Sequence, residues 1–313
     1  MFSSTSGDLS DRVQERLPSG TKDIGIALVL PGLVLFSLFM LYPILYLVYL
    51  SLTDASSAGE VIGGDLSIIW FQNYIELFSE EAFWRSLGIT WLYVFVSLAI
   101  KIVITLAIAN VLTHNRVVWK RYMRAIIIIP MGFPPIFTIS VWRGIFSPAK
   151  FGPVNVILSK LFLSPVQVSW MADRWAAFGA YVITEAWLAY PFMVIITVSA
   201  LQDVPMELHD AAKVDGAGYF TRFIHVTLPA IRGPLIFASV LTAATSFQNF
   251  LIPWVFNEGG PGRQNELLLV YGYREALNFG NYGPGSAIMV VAIAFIGLFM
   301  WIAVKKTNLA EGV

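Results

Sequence analysis

Cysteine is absent from the 313-residue chain. Its absence excludes disulfides and thiolate metal sites and leaves the redox compartment open. Charge is scarce too. Asp, Glu, Lys and Arg make up 13% of the residues, against about 25% in an ordinary soluble domain. The 20 basic and 20 acidic side chains cancel, so no basic excess points to nucleic acid. No G-x-x-x-x-G-K-[ST] loop occurs, so the chain is not expected to bind ATP itself. Its three histidines, His114, His209 and His225, form no H-E-x-x-H pattern. Metal ligation and hydrolytic chemistry are therefore not expected, and solvated or structural histidines are.

What remains is apolar. Hydrophobic residues make up 57% of the chain and the mean hydropathy is +0.70, which reads as an integral membrane protein. Six stretches are long enough to cross a bilayer: 24–52, 87–112, 123–146, 177–201, 234–257 and 286–304. Helices are expected, because lipid offers exposed backbone groups no partner and the alternation of a barrel strand is missing. The fold class is thus all-α, a polytopic bundle of about six transmembrane helices. The run 24–52 exceeds a signal-peptide core and follows a segment of mixed charge, so it reads as an uncleaved first span. Residues 1–23 read as a polar cytoplasmic tail and 24–313 as one transmembrane domain.

Orientation follows from where Lys and Arg fall. With the N-terminus inside, the cytoplasmic segments carry twelve basic residues, among them Arg116, Lys120, Arg121, Lys213, Arg222, Lys305 and Lys306. The outer segments are longer in total and carry seven. Both termini are expected in the cytoplasm.

One cytoplasmic stretch, 205–234, is polar and hinged. Pro205 can open a helix. Met206 to Val214 reads as a first short helix and Tyr219 to Leu228 as a second, with Gly216 and Gly218 between them and Pro229 and Pro234 closing the unit. On the residues alone, two readings stand open: an interfacial helix that steadies the bundle, and a docking element for another protein.

Polar groups inside spans are expensive and earn a functional reading. Lys101 lies in span two and Glu185 in span four. Thr242, Thr245, Ser246, Gln248 and Asn249 form a stripe in span five beside Phe247 and Phe250. Hydroxyl, amide and aromatic groups suit a sugar, although Ser, Thr and Asn also serve simply to join helices. Lys101 and Glu185 are expected either to pair or to part, with Lys101 snorkelling to the cytoplasmic face or lining a wet cavity alone.

The 205–234 stretch resembles the EAA loop of binding-protein-dependent ABC importers: Asp210-Ala211-Ala212, then Asp215-Gly216-Ala217, then Leu228-Pro229. "RAIIIIPMGFPPIFTISVWRGIFSPAKFGPVN" and "GGPGRQNELLLVYGYREALNFGNYGPGSAIMV" are similar to the third span and the fifth outer loop of maltose-type first permeases of carbohydrate importers. Asn265, where the family often has Thr, and Pro284, where Pro is rare, depart from its pattern. The resemblance implies a sugar permease of a prokaryotic cell membrane, delivered to by an extracytoplasmic solute-binding protein. It implies a second permease subunit and two ATP-binding subunits that hold ATP and Mg, surrounded by membrane lipid. No cofactor is expected on this chain, and no catalytic residue. Asp210, Ala211, Ala212, Asp215, Gly216, Ala217, Leu228 and Pro229 would contact the ATPase. Carried over by alignment, the solute path would include Glu185, Leu188, Ala189, Phe192, Thr242, Thr245, Ser246 and Asn249. The competing classes are a membrane-embedded enzyme, for which no nucleophile–base spacing exists, and an export permease or channel, against which the two loops speak.

Overall fold

The computed structural model describes residues 19–114 and 117–307. The first eighteen residues of the expected tail, Arg116 and the last six residues lie outside that range. Among the described residues the chain is all-α, with one isolated backbone bridge between Thr53 and Ile68. Helices α1 (Ser19–Phe36) and α2 (Tyr42–Ser51) form span one, joined through a π turn at Ser37–Leu41. The π turn directly precedes Pro43, which has no N–H to continue a regular ladder. The helix starts at Ser19, so the tail boundary expected at residue 23 falls inside it.

Short helices α3 (Ala58–Gly63) and α4 (Gln72–Ser79) lead to α5 (Glu81–Thr113), which is span two. Helices α6 (Lys120–Ile128) and α7 (Pro135–Ile145) follow, then α8 (Pro153–Leu161). Span four is α9 (Arg174–Gln202). The hinged pair comprises α10 (Met206–Val214), then α11 (Tyr219–Arg222), continued through a π turn at Phe223–Thr227 into α12 (Leu228–Ala230). Helices α13 (Arg232–Phe247) and α14 (Leu251–Asn257) come next, followed by α15 (Leu268–Tyr273) and α16 (Tyr282–Thr307), the last span.

Among the described residues, four helices are long and apolar enough to cross a membrane: Leu28–Ser51, Glu81–Thr113, Arg174–Gln202 and Tyr282–Thr307. Two bent pairs bring the number to six if each counts as one span. Span three, expected over 123–146, bends by 97° between Lys120–Gly132 and Pro135–Ile145. A 3-10 turn at Ile129–Gly132 and the Pro134–Pro135 pair account for it, because neither proline can donate and residues before proline leave the α region. Tyr219–Ala230 and Arg232–Phe247 meet at 70°. The expected span 234–257 is interrupted at Gln248–Phe250. Asn249 Oδ1 accepts from the Ile252 amide there at 3.2 Å, and Pro253 follows in the first turn of α14.

Lipid supplies little hydrophobic drive between spans, so close packing and polar links must hold them. Span two packs most extensively on span four. Small buried residues let the backbones approach: Ala177, Ala180 and Ala186 on α9, Ala238, Ala243 and Ala244 on α13, Ala287 and Ala292 on α16. At the end away from the hinged pair, Thr90 Oγ1 of α5 accepts from the Leu268 amide at 2.8 Å. Asn265 Nδ2 donates to the Arg174 carbonyl at 2.7 Å. The fully buried Glu266 carboxylate takes Arg263 Nε and Arg274 Nε, each at 2.7 Å. These links pin the Gly259–Gln264 turn to spans two and four. Both departures from the family pattern have local uses, Asn265 as that pin and Pro284 within the first turn of α16.

Candidate functional site

Two sites emerge, one between spans and one at the hinge. The first is a cavity of about 460 Å³ among spans three, four and five. Its wall includes Pro130, Met131 and Phe133 from the bend of span three, Glu185, Leu188 and Ala189 from α9, and Thr245, Gln248, Asn249 and Phe250 from the end of α13 and the break after it. The two irregular segments therefore face the same space. Non-helical backbone at membrane depth is tolerated where it lines a cavity. Hydroxyl, amide, carboxylate and aromatic groups converge there on a mostly apolar wall, the usual make-up of a small-molecule site.

Behind the wall sits a buried charge pair. Lys101 Nζ lies 2.8 Å from Glu185 Oε1, with Lys101 fully buried and Glu185 4% exposed. Lys101 also donates to Ser246 Oγ at 2.7 Å. Ser246 Oγ stands 2.6 Å from Glu185 Oε1 and 2.7 Å from the Thr242 carbonyl, and its single proton goes to one of them. Of the two arrangements open from the sequence, the structure has the paired one. Three spans meet at this triad, and the attraction offsets the desolvation that would drive a lone lysine out of the bilayer.

The cavity takes in some of the residues expected on the solute path and not others. Glu185, Leu188, Ala189, Thr245 and Asn249 line the cavity, whereas Phe192, Thr242 and Ser246 do not. Ser246 is fully buried in the triad and Thr242 is 2% exposed against neighbouring helices. Phe247 is core, its ring tilted against that of Trp91 with centroids 5.0 Å apart. Met131 and Phe133 were not foreseen. Their apolar side chains look like any span residue, and only the prolines around them signal a bend. Cysteines tested in this otherwise cysteine-free chain should separate the two sets. Thr245→Cys and Gln248→Cys should react quickly with a water-soluble maleimide, and Ser246→Cys should react no faster than Phe237→Cys on the exposed side of α13. Equal rates at 245 and 246 would contradict this wall.

The second site is the hinge. Helix α10 ends in a Schellman arrangement: the Gly216 amide bonds the Lys213 carbonyl at 3.0 Å and the Ala217 amide bonds the Ala212 carbonyl at 2.9 Å. Gly216 has φ +77°, the left-handed conformation that glycine accepts without penalty. Asp210, Ala211 and Asp215 are exposed, and Ala212, Ala217 and Leu228 are half-buried. The second helix extends past the expected end at Leu228 to Ala230, with Pro229 inside it. Lys213 Nζ bonds Asp210 Oδ1 at 2.7 Å. That bond, with His209 and Arg222 nearby, holds the Asp210 carboxyl below the usual carboxylate range. Val214 and Phe220 are 88% and 77% exposed, so the hinge carries a bare apolar face next to its charges. Of the histidines, His225 Nδ1 lies 2.9 Å from the Thr221 carbonyl, while His114 and His209 line a separate cavity beneath the pair.

A helical bundle with broken spans around a polar cavity, and a hinged pair set against one end, is the architecture of a transport permease rather than of an enzyme. Residues 101–305 match the family described as the binding-protein-dependent transport system inner membrane component, and the chain belongs to it. It is therefore a multi-pass protein of the plasma membrane. The trehalose/maltose transport system permease protein MalF of Thermococcus litoralis is 30% identical over 300 residues, covering 95% of this chain and 98% of that protein. The sulfoquinovosyl glycerol transport system permease protein SmoG of Agrobacterium fabrum is 30% identical, covering 89% and 88%. In fold, the chain is similar to a subunit of a bacterial ABC transporter involved in the import of the acidic polysaccharide alginate, with a TM-score of 0.74 at 20% identity, covering 92% of this chain and 96% of that one.

Proposed function

We propose that this chain forms the membrane path for a carbohydrate in an ABC importer. A binding protein outside the membrane delivers the solute. A second permease completes the path, and two ATP-binding subunits carrying ATP and Mg drive it. The observation that carries the reading is the cavity at the two broken spans, where Thr245, Gln248 and Asn249 offer hydrogen bonds beside Phe133 and Phe250. Sugar rings have apolar faces and hydroxyl edges, which such a wall complements. The named solutes of the similar permeases, trehalose, maltose and sulfoquinovosyl glycerol, are of the same class.

The hinged pair is the contact with the ATPase, through Asp210, Ala211, Ala212, Asp215, Gly216, Ala217, Leu228 and Pro229. Its exposed Val214 and Phe220 suit a partner surface, since exposed apolar groups clustered on one element mark an interface. Both termini lie on the cytoplasmic side in this reading, as the distribution of Lys and Arg requires. ATP closure of the partners moves the pair, and the 70° junction between Ala230 and Arg232 passes that motion to α13, which carries the cavity residue Thr245.

The test is uptake of radiolabelled mono-, di- and oligosaccharides by cells with and without this chain. Uptake of at least one sugar should be lost with the chain and return when it is restored. Unchanged uptake across the whole panel would overturn the reading.

A further inference from the structure

A second cavity, of about 250 Å³, lies between the hinged pair and the ends of spans two and four. It belongs to neither site above. Four basic side chains line it: His114 at the end of α5, His209 and Lys213 on α10, and Arg222 on α11. His209 and Lys213 are four residues apart and so share one face of their helix. Among the described residues, no carboxylate lines it. Asp210, which holds Lys213, sits outside the lining.

Arg222 is half-buried, and its guanidinium makes no hydrogen bond or salt bridge among the described residues. A guanidinium carries five donors in a fixed fork, and half-buried ones usually find an oxyanion. Lys213 has a partner, but that pair is 52% and 63% exposed, and exposed pairs hold weakly. Its ammonium can therefore turn inward to a stronger anion at little cost. The wall adds an amide and a phenol, since Asn110 and Tyr219 are hydrogen-bonded to each other there. Met206 and Phe223 cover the remaining side.

We propose that this cavity binds a phosphate-type anion carried on a small organic group, and that the anion clamps α10 and α11 to the end of span two. The volume is below that of sites for drug-sized ligands, which suits a phosphoryl group with a short substituent. Fork-like cations around a phosphoryl group give the strong, charge-assisted class of hydrogen bond. Two sources share this chemistry. Basic pockets between membrane helices receive anionic lipid headgroups, and a soluble phosphate monoester would meet the same cations. This inference concerns binding by the chain itself and stands whether or not the solute is a sugar.

The test uses the purified full chain in detergent, stripped of native lipid. Native mass spectrometry counts retained phosphatidylglycerol against phosphatidylcholine, and equilibrium dialysis follows labelled inorganic phosphate and glycerol 3-phosphate. Saturable retention of phosphatidylglycerol over phosphatidylcholine supports a headgroup. Saturable binding of the soluble phosphates without lipid retention supports a soluble ligand. In either case Arg222→Gln should weaken binding by about tenfold to a hundredfold, Arg222→Glu should abolish it, and Arg222→Lys, which keeps the charge, should lose less than Arg222→Gln. No saturable binding of any of these probes, or equal binding by wild type and Arg222→Glu, would overturn the proposal.

Discussion

Lys101→Met is expected to cost the purified protein about 3–5 kcal/mol, the loss seen when one partner of a buried pair is removed. The substitution leaves the Glu185 carboxylate, 4% exposed, with Ser246 as its remaining hydrogen-bond partner among the described residues. Glu185→Gln should cost a comparable amount by leaving Lys101 charged among apolar helices. The double variant should recover part of the loss, because it leaves no uncompensated buried charge. The readout is a double-mutant cycle on denaturant or thermal stability, run beside uptake. Coupling of about 1 kcal/mol or more between the two changes is the expected result. Strictly additive losses would mean that the pair contributes nothing as a pair, and would leave Glu185 to be understood only as a residue of the cavity wall.

Gly216→Val should insert normally and lose transport. The position sits at φ +77°, and a β-branched residue is a genuine outlier there. The strain is of order 1–3 kcal/mol. Beyond its chain neighbours, no heavy atom lies within 4 Å of where a Cβ would sit, so the cost is local backbone strain and not a clash with packed neighbours. Gly216→Asn, which tolerates the left-handed region, should keep much more activity. Asp210→Lys should fail for a different reason: it removes the Lys213 partner and reverses a charge on the exposed face. In the assembled importer both Gly216→Val and Asp210→Lys should abolish solute-stimulated ATP hydrolysis. Full uptake with both variants would contradict the coupling role of the hinge.

The spans were legible because about 20 consecutive apolar residues leave a chain few alternatives. The bend of span three was only half legible. Pro130, Pro134 and Pro135 mark a disturbance, but the 97° angle depends on what the two arms pack against. The break at Gln248–Phe250 was hidden. Its amides extend the stripe begun by Thr242, so they look like more of one helix, and Pro253 falls three residues beyond. That hidden break explains why Thr242 and Ser246 do not share the cavity with Asn249. On a straight helix they would share its face with Asn249, whereas the break carries Asn249 to the cavity and leaves Ser246 in the triad. Lys101 and Glu185 stand out in the sequence through scarcity, because each is the one such charge well inside its span, but only the structure shows that they pair. The basic cavity under the hinge was not legible. His114 and Arg222 are 108 positions apart, and only the fold brings them together.

Transport itself is tested most directly by reconstitution. Proteoliposomes holding this chain with its second permease and ATP-binding subunits, and with the binding protein on the outer side, would be given labelled sugar identified from the cellular panel. ATP inside should drive accumulation above the external concentration, and leaving out ATP or the binding protein should stop it. Equilibration of the sugar without ATP, or its extrusion with ATP, would contradict an importer.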